Sequence, residues 1–328
     1  MQLSEKHKAI LGKIWKVSWQ GALIGFITLL IFETIYRLYW VDFYRYELEA
    51  LNPEEDLNLE KEETILIFGD SFTADPNSWV SVLRDSLDNH NIINSALPGT
   101  SVFHQQLFFE DRIEEFNPDQ ILIQLYVGND LIDYNRPQDF SAISWARNLY
   151  WWFSDQFISL QFINYKMGQF KAAGNQNSSY ANESFDPEKY NSRTLNYLAA
   201  YPDIVAESIN PNNDFADEME DLVEDLQWMV EQTSIPVTII VIPHCVQTDE
   251  AYRENYINMG ATIDQEKLSE FIFFDKIQEL GDAHDNVKVT SPIKVFQNTK
   301  APYYNNDPHL TPSGQYVLGK FILTQVEF

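Results

Sequence analysis

The stretch that decides the fold runs from Thr64 to Thr73 and reads T-I-L-I-F-G-D-S-F-T. Ile65 to Phe68 form an unbroken apolar run, which is typical of a strand buried on both faces of a parallel sheet. Gly69 permits a tight exit from such a strand, and Asp70 and Ser71 follow where a helix can begin. Ligands of open α/β sheets bind at the carboxyl ends of the strands. Ser71 therefore lies where a nucleophile would be useful.

The same pattern recurs along the rest of the chain, with apolar runs alternating with helical periodicity. The predicted strands are 64–68, 91–94, 120–127, 236–242 and 286–289, and the predicted helices are 79–88, 102–116, 218–231, 265–280 and 311–324. Such alternation is typical of βαβ units. The sequence predicts an α/β fold with a doubly wound, five-stranded parallel sheet.

A second chemical motif, Asn306-Asp307-Pro308-His309, lies near the C-terminus. A hydroxyl is a poor nucleophile until a base takes its proton, and histidine has a pKa suited to that task. The imidazole needs an acceptor on its other nitrogen to fix its tautomer. Asp307 can supply that acceptor if the backbone turns at Pro308.

Four separated blocks of the chain resemble the SGNH/GDSL hydrolase superfamily, in the family's order and at family-like spacing, across residues 64–328. The blocks are Gly69-Asp70-Ser71, Asn94-Ser95-Ala96-Leu97-Pro98-Gly99-Thr100, Gly128-Asn129-Asp130 and Asp307-Pro308-His309. A lone G-D-S is weak evidence, whereas four blocks in order are a specific signal. The resemblance also implies a flavodoxin-like order of the five strands. The chain lacks the G-x-S-x-G elbow of α/β-hydrolases, which argues against that other serine-hydrolase fold.

The resemblance implies a role for each matching residue. Ser71 matches the nucleophile, His309 the base and Asp307 the acid, while the Ser71 and Gly99 N–H groups and the Asn129 amide match the oxyanion hole. Preorganised donors of this kind are typically worth about 3 to 4 kcal/mol each in acyl transfer. Many members carry the acid three residues before the histidine, where this chain has Asn306. The Asp-x-His form is similar to the branch that contains polysaccharide O-acetylation enzymes. No metal or organic cofactor is implied.

Composition narrows the classes of function. The net charge is −27, from 22 basic and 49 acidic residues, and this disfavours nucleic-acid binding, which needs a basic face. Cys245, the single cysteine, follows His244 at the end of an apolar run. This pair could suggest a thiol nucleophile or a metal site, but a lone buried cysteine is more often inert packing and no second cysteine supports a zinc cluster.

The N-terminal part of the chain contains an apolar segment, residues 17–40, long enough to span a membrane. Aromatic residues flank both ends, and lysines precede it, so we expect residues 1–16 to be cytoplasmic. Residues 41–63 are then a juxtamembrane linker, and residues 64–328 an extracytoplasmic hydrolase-like domain. A cleaved signal peptide is the alternative, although no small-x-small site follows the run. Glu33 interrupts the segment, and it either lies near the outer interface or pairs with a partner helix.

A long insertion, at about residues 135–215, separates the third and fourth predicted strands. Its part from Ser144 to Phe170 carries aromatic residues at roughly helical spacing. A helix packed on the domain is the simplest interpretation. An aromatic wall beside the active site, or a face lying on the membrane or on a partner protein, is the functional alternative.

The function expected from these observations is that of a membrane-anchored extracytoplasmic serine esterase or O-acetyltransferase. The substrate is an acyl ester of a glycan or a lipid, and the resemblance favours acetyl groups on a cell-envelope glycan. Two alternatives stay open. One is a lipid esterase, lysophospholipase or thioesterase, and the other is a non-catalytic envelope assembly subunit that docks a membrane protein partner.

Overall fold

A computed structural model describes residues 5–39, 42–57, 63–134, 145–154, 156–175, 183–212, 215–264, 268 and 270–326. The predicted linker at 41–63 and the predicted insertion at 135–215 therefore lie partly outside the described residues. The chain divides into two compact units, one formed by Met1–Arg45 with Ser144–Gly168 and the other by Tyr46–Ile143 with Gln169–Phe328.

The second unit contains a five-stranded parallel sheet, as predicted. Its strands are β1 Glu63–Phe68, β2 His90–Asn94, β3 Gln120–Tyr126, β4 Val237–Ile242 and β5 Val287–Thr290, in the order β2-β1-β3-β4-β5. Leu66 pairs with Ile93 on one side and with Ile121 on the other. The step outward from β1 to β2 on one side and to β3 on the other puts a topological switch point at the carboxyl end of β1, where ligands of such sheets bind.

The helices of the described residues are α1 Glu5–Tyr39, α2 Arg45–Leu51, α3 Trp79–Arg84, α4 Val102–Gln105, α5 Phe109–Phe116, α6 Asp130–Tyr134, α7 Trp145–Ser154, α8 Ile158–Asn175, α9 Ser192–Ala200, α10 Ile204–Ile209, α11 Ala216–Glu231, α12 Glu250–Asn258, α13 Ile272–Asp282, α14 Ile293–Gln297 and α15 Pro312–Gln325. Helices cover both sides of the sheet. β1 is accordingly apolar from Ile65 to Phe68, and each of these four residues is at most 1% exposed.

Three predicted helices differ from those observed. The helix predicted over 79–88 ends at Arg84. The segment 102–116 is not one helix, because α4 and α5 are separated by a 3₁₀ turn at Gln106–Phe108. The helix predicted over 265–280 begins at Ile272, although residues 265–267 and 269 lie outside the described part.

The first unit contains α1, which includes one segment, Gly12–Leu38, long and apolar enough to cross a membrane. A signal sequence near an N-terminus passes the same test of length and composition. The unit also contains α7 and the first part of α8, which form the aromatic stretch noted in the sequence. The Phe26 ring contacts Phe153 of α7 with a centroid separation of 6.4 Å.

Candidate active site

The nucleophile candidate, Ser71, lies in a tight turn directly after β1. Gly69 is required there, because a Cβ atom at this position would lie 2.7 Å from Gln124 Oε1. Gln124, a buried polar residue of β3, accepts hydrogen bonds from the Asp70 N–H at 3.1 Å and from Thr73 Oγ1 at 2.9 Å. The central strand thereby fixes the turn on both sides of Ser71.

The candidate base reaches Ser71 from the C-terminal part of the chain. Ser71 Oγ and His309 Nε2 are 2.8 Å apart. On the other side of the ring, His309 Nδ1 is hydrogen-bonded to Asp307 Oδ1, and the same oxygen accepts the His309 N–H at 2.9 Å. With the Nδ1 proton directed at Asp307, Nε2 is the free acceptor for the Ser71 hydroxyl.

The carboxylate of Asp307 is held by a residue that the sequence analysis missed. Asn191, the N-cap of α9, donates through Nδ2 to Asp307 Oδ2 at 2.9 Å. Its Oδ1 accepts the N–H of Arg193 at 3.0 Å, which caps the helix. The two oxygens of Asp307 therefore face two different partners, His309 and Asn191.

Asn306 occupies the position where many SGNH/GDSL proteins carry their acid. In this chain its side chain forms hydrogen bonds with the segment 184–186. Asn306 is 2% exposed; its Nδ2 donates to the Ser184 carbonyl at 3.1 Å and its Oδ1 accepts the Asp186 N–H at 2.8 Å. Asn306 thus fastens the segment around residues 183–186 to the loop that carries Asp307.

Burial and charge together shift the pKa values of this pair. Burial raises the pKa of the Asp307 carboxyl, but the charge of His309 and the hydrogen bonds from His309 and Asn191 outweigh it and hold that pKa below its usual value. Burial lowers the pKa of His309, but Asp307 outweighs it, with a smaller contribution from Asp70, so the net pKa is raised. A raised pKa makes the neutral imidazole a stronger proton acceptor.

The loops that carry Gly99 and Asn129 follow β2 and β3, the two strands that flank β1 in the sheet. Gly99 has a φ of 73°, a conformation that glycine adopts without strain. Asn129 donates through Nδ2 to Asp70 Oδ2 at 3.0 Å. The amide has a second N–H that can donate to a substrate oxygen. The bond to Asp70 also fixes which end of the amide points toward the nucleophile turn.

The last helix ties the nucleophile turn to the base. Thr311, two residues after His309, caps α15 by accepting the Gly314 N–H at 3.1 Å. Gln315 in the first turn donates through Nε2 to the Phe72 carbonyl at 3.0 Å and accepts the Trp79 N–H at 3.0 Å. The Phe72 ring lies against the His309 ring with a centroid separation of 5.0 Å. Ser71 and His309 are thus held together through their flanking residues.

His244 and Cys245, which follow β4, do not form a reactive pair. Burial lowers the pKa of His244 to about 3 and raises the pKa of the Cys245 thiol to about 12. Both groups are therefore neutral near pH 7, and the thiolate needed for nucleophilic attack does not form. Among the described residues, no cluster of three or more histidine, cysteine, aspartate or glutamate side chains could hold a metal ion.

Comparisons with known proteins found similar solved structures but no relative by sequence. No family model matches the chain, and no curated protein matches it by sequence. Among solved structures, it is similar to an acetyl xylan esterase, AlAXEase, with 12% identity, a TM-score of 0.44 and coverage of 80% of this chain and 100% of the other. It is also similar to a lipolytic protein of the G-D-S-L family from Desulfitobacterium hafniense, with 11% identity, a TM-score of 0.44 and coverage of 81% and 100%. A lipase/acylhydrolase from Enterococcus faecalis has 15% identity, a TM-score of 0.43 and coverage of 80% and 95%.

Identities and TM-scores this low decide neither the reaction of this chain nor the role of any residue in it. The four blocks, by contrast, belong to the chain itself, and three of them meet through direct hydrogen bonds around Asp70, Ser71 and His309. In these blocks and in its five-stranded parallel sheet, the chain is similar to the SGNH/GDSL hydrolases.

Proposed function

We propose that the chain is a serine esterase that cleaves acyl esters through Ser71, His309 and Asp307. The observation that carries this proposal is the continuous hydrogen-bonded path from the Ser71 hydroxyl through His309 to Asp307, with 2.8 Å between Ser71 Oγ and His309 Nε2. This is the arrangement in which a base can activate a hydroxyl, and its partner can stabilise the imidazolium that forms.

The reaction begins when Ser71 Oγ attacks the ester carbonyl carbon while its proton passes to His309 Nε2. The carbonyl oxygen becomes an oxyanion, for which the N–H groups of Ser71 and Gly99 and the side-chain amide of Asn129 are the proposed donors. His309 then returns the proton to the departing alkoxide, and the acyl group remains on Ser71. A second hydroxyl-bearing molecule, activated by the same imidazole, takes up the acyl group and restores Ser71.

The second acceptor decides whether the enzyme is a hydrolase or a transferase. Water gives a carboxylic acid, whereas a sugar hydroxyl gives a new ester. We propose acetyl esters of a cell-envelope glycan as the substrate, because the Asp-x-His form of this chain is similar to that of polysaccharide O-acetylation enzymes. The apolar segment within α1 supports a single-pass anchor with the catalytic unit outside the cytoplasm.

The test is hydrolysis of p-nitrophenyl acetate and p-nitrophenyl octanoate by the full chain in detergent micelles, with Ser71→Ala as its control. Turnover of the acetate that disappears in Ser71→Ala, while the variant keeps the thermal stability of the parent, is the expected result. A preference for octanoate would redirect the substrate to lipid esters. Absence of Ser71-dependent turnover, with and without an added glycan acceptor, would refute the enzyme and favour the envelope assembly subunit.

A further inference from the structure

The one carboxylate inside the apolar segment, Glu33, is buried by a helix of the insertion. Glu33 is 6% exposed, although α1 is otherwise largely exposed. Glu33 Oε2 accepts hydrogen bonds from the Ser159 N–H at 3.2 Å and from Ser159 Oγ at 2.9 Å, and Oε1 accepts the Ile158 N–H at 3.3 Å. The partner of Glu33 is therefore the N-terminus of α8 in the same chain.

This contact offsets part of the cost of a carboxylate in an apolar helix. The first N–H groups of α8 have no intrahelical acceptor, and the helix dipole favours an anion at that end. Arg37, one turn further along α1, adds a hydrogen bond from Nε to Glu33 Oε1 at 2.9 Å. Glu33 thus joins α1 to the insertion and is paired with Arg37.

The position of Glu33 along α1 sets the level at which α8 begins. Six residues separate Glu33 from Tyr39, the last residue of α1, which corresponds to about 9 Å along a helix. Amphipathic helices that lie in a membrane interface bury their apolar face about 5–10 Å into the boundary between headgroups and acyl chains. The start of α8 is therefore at the depth of an interfacial helix, if α1 spans the membrane to its end.

The hairpin of α7 and the first part of α8, residues 145–168, presents large apolar side chains outward. Trp152 is 63% exposed and lies one turn from Leu149 on α7, and Met167 is 57% exposed and lies one turn from Ile163 on α8. The spacing places each pair on one helix face. These faces belong to the same compact unit as the exposed apolar surface of α1.

The charge of this segment also sets it apart from the rest of the chain. Residues 145–168 contain two basic residues and one acidic residue, Arg147, Lys166 and Asp155, in a chain whose net charge is −27. The Lys166 ammonium lies 5.4 Å from the centre of the Phe162 ring and 5.5 Å from that of Tyr165. Aromatic residues with lysines at their edge are typical of segments at the level of lipid headgroups.

From these contacts we propose that the hairpin 145–168 lies in the outer interface of the bilayer that α1 crosses, held there by Glu33, with lipid as its occupant. This inference rests on the membrane anchor of the proposed function. Three observations favour lipid over a protein partner. The hairpin contains one acidic residue among 24, it shares a compact unit with the exposed apolar surface of α1, and Glu33 lies about one and a half turns from the end of α1.

The test places an environment-sensitive fluorophore at single cysteines of the full chain in vesicles of phosphatidylcholine and phosphatidylglycerol. Cys245→Ser provides the background, Trp152→Cys and Met167→Cys report on the hairpin, Ile24→Cys reports on α1, and Tyr316→Cys is the exposed reference on α15. Spin-labelled lipids should quench the two hairpin labels by at least about twofold more than the Tyr316 label, with shallow probes more effective than deep ones.

The outcomes separate the inference from the proposed function. Quenching at Ile24 with hairpin labels no more quenched than Tyr316 overturns the interfacial hairpin and leaves the anchor intact. No quenching at Ile24 overturns the anchor, and the hairpin inference with it. Hydrolysis of p-nitrophenyl acetate in the same vesicles reports on the esterase independently of both.

Glu33→Ala tests whether the contact between Glu33 and the N-terminus of α8 holds the hairpin in place. Thr34→Ala is the matched control on the exposed side of α1. We expect Glu33→Ala to reduce the quenching of the Met167 label by about half or more, because the N-terminus of α8 loses its acceptor. Glu33→Asp should restore part of it. Quenching that is unchanged in Glu33→Ala would overturn the role given to Glu33.

Discussion

Asn191 is the residue through which the insertion supports Asp307, the proposed catalytic acid, and its replacement is the sharpest test of the site. Asn191→Ser keeps a side-chain oxygen that can cap α9 but removes the amide that donates to Asp307 Oδ2 at 2.9 Å. A hydrogen bond to a charged group contributes about 1.5–3 kcal/mol. If that contribution serves to keep Asp307 aligned while the His309 imidazolium forms, kcat/KM falls about 10- to 150-fold.

The assay is kcat/KM for p-nitrophenyl acetate across pH 5–9, together with the thermal midpoint of each variant. Asp249→Ser is the matched control, because it exchanges an N-cap on α12, where Asp249 accepts the Ala251 N–H at 2.7 Å. We expect the control to keep its kcat/KM. The reasoning is refuted if Asn191→Ser hydrolyses the ester at the parental rate, or if its loss is matched by the Asp249 variant at equal destabilisation.

Three further outcomes are expected. Asn129→Ala should lower kcat by about 10²–10³ with little change in KM, as measured by steady-state kinetics, since an oxyanion donor acts mainly in the transition state. The kcat/KM of the parent should fall on the acid side of a pH above 6.5, because the pKa of His309 is raised from 6.5 and only the neutral ring accepts a proton. Asp307→Asn should lower the pKa of His309 and move this fall to lower pH, with a large loss of rate. Gly314→Ala should destabilise the protein by about 1–3 kcal/mol in urea unfolding, because its Cβ would lie 2.1 Å from a backbone carbonyl oxygen, whereas Gly168→Ala, with open space, should not.

The sheet was predictable from the sequence because its strands are buried on both faces. Each predicted strand agrees with the observed one to within a residue at either end, as for 64–68 against Glu63–Phe68. The prediction of one helix over 102–116 was wrong because the break depends on tertiary contacts, which hydrophobic periodicity does not reveal. Phe108 and Phe109 both contact Phe68, with ring centroids 6.0 and 5.0 Å apart. Consecutive residues of a regular α-helix point about 100° apart. Phe108 has a non-helical backbone, with φ −127° and ψ 11°, and this break lets both rings reach Phe68.

The candidate site was predictable where a motif marks it and not where the support comes from distant segments. Ser71, Asp307 and His309 stand in recognisable blocks, and the structure brings them together. Asn191 is 116 residues from Asp307 in the sequence, and no motif around Asn191 indicates that the two residues form a hydrogen bond. Gln124 did carry a signal, since it is the polar residue inside the apolar run 121–127. The partner of Glu33, 126 residues away at Ser159, likewise depends on tertiary structure alone.

The separation of Ser71 from His309 also has a consequence for the timing of biosynthesis. The nucleophile and its base are 238 residues apart, and a ribosome adds about 5–20 residues per second, so roughly 10–50 s pass between their syntheses. During that interval Ser71 is an ordinary alcohol, and Gln315, which ties the nucleophile turn to α15, has not yet been made. Under the proposed topology and mechanism, a nascent chain in transit through a membrane therefore carries an inert hydroxyl, and reactivity begins only when the final helix has been delivered and docked.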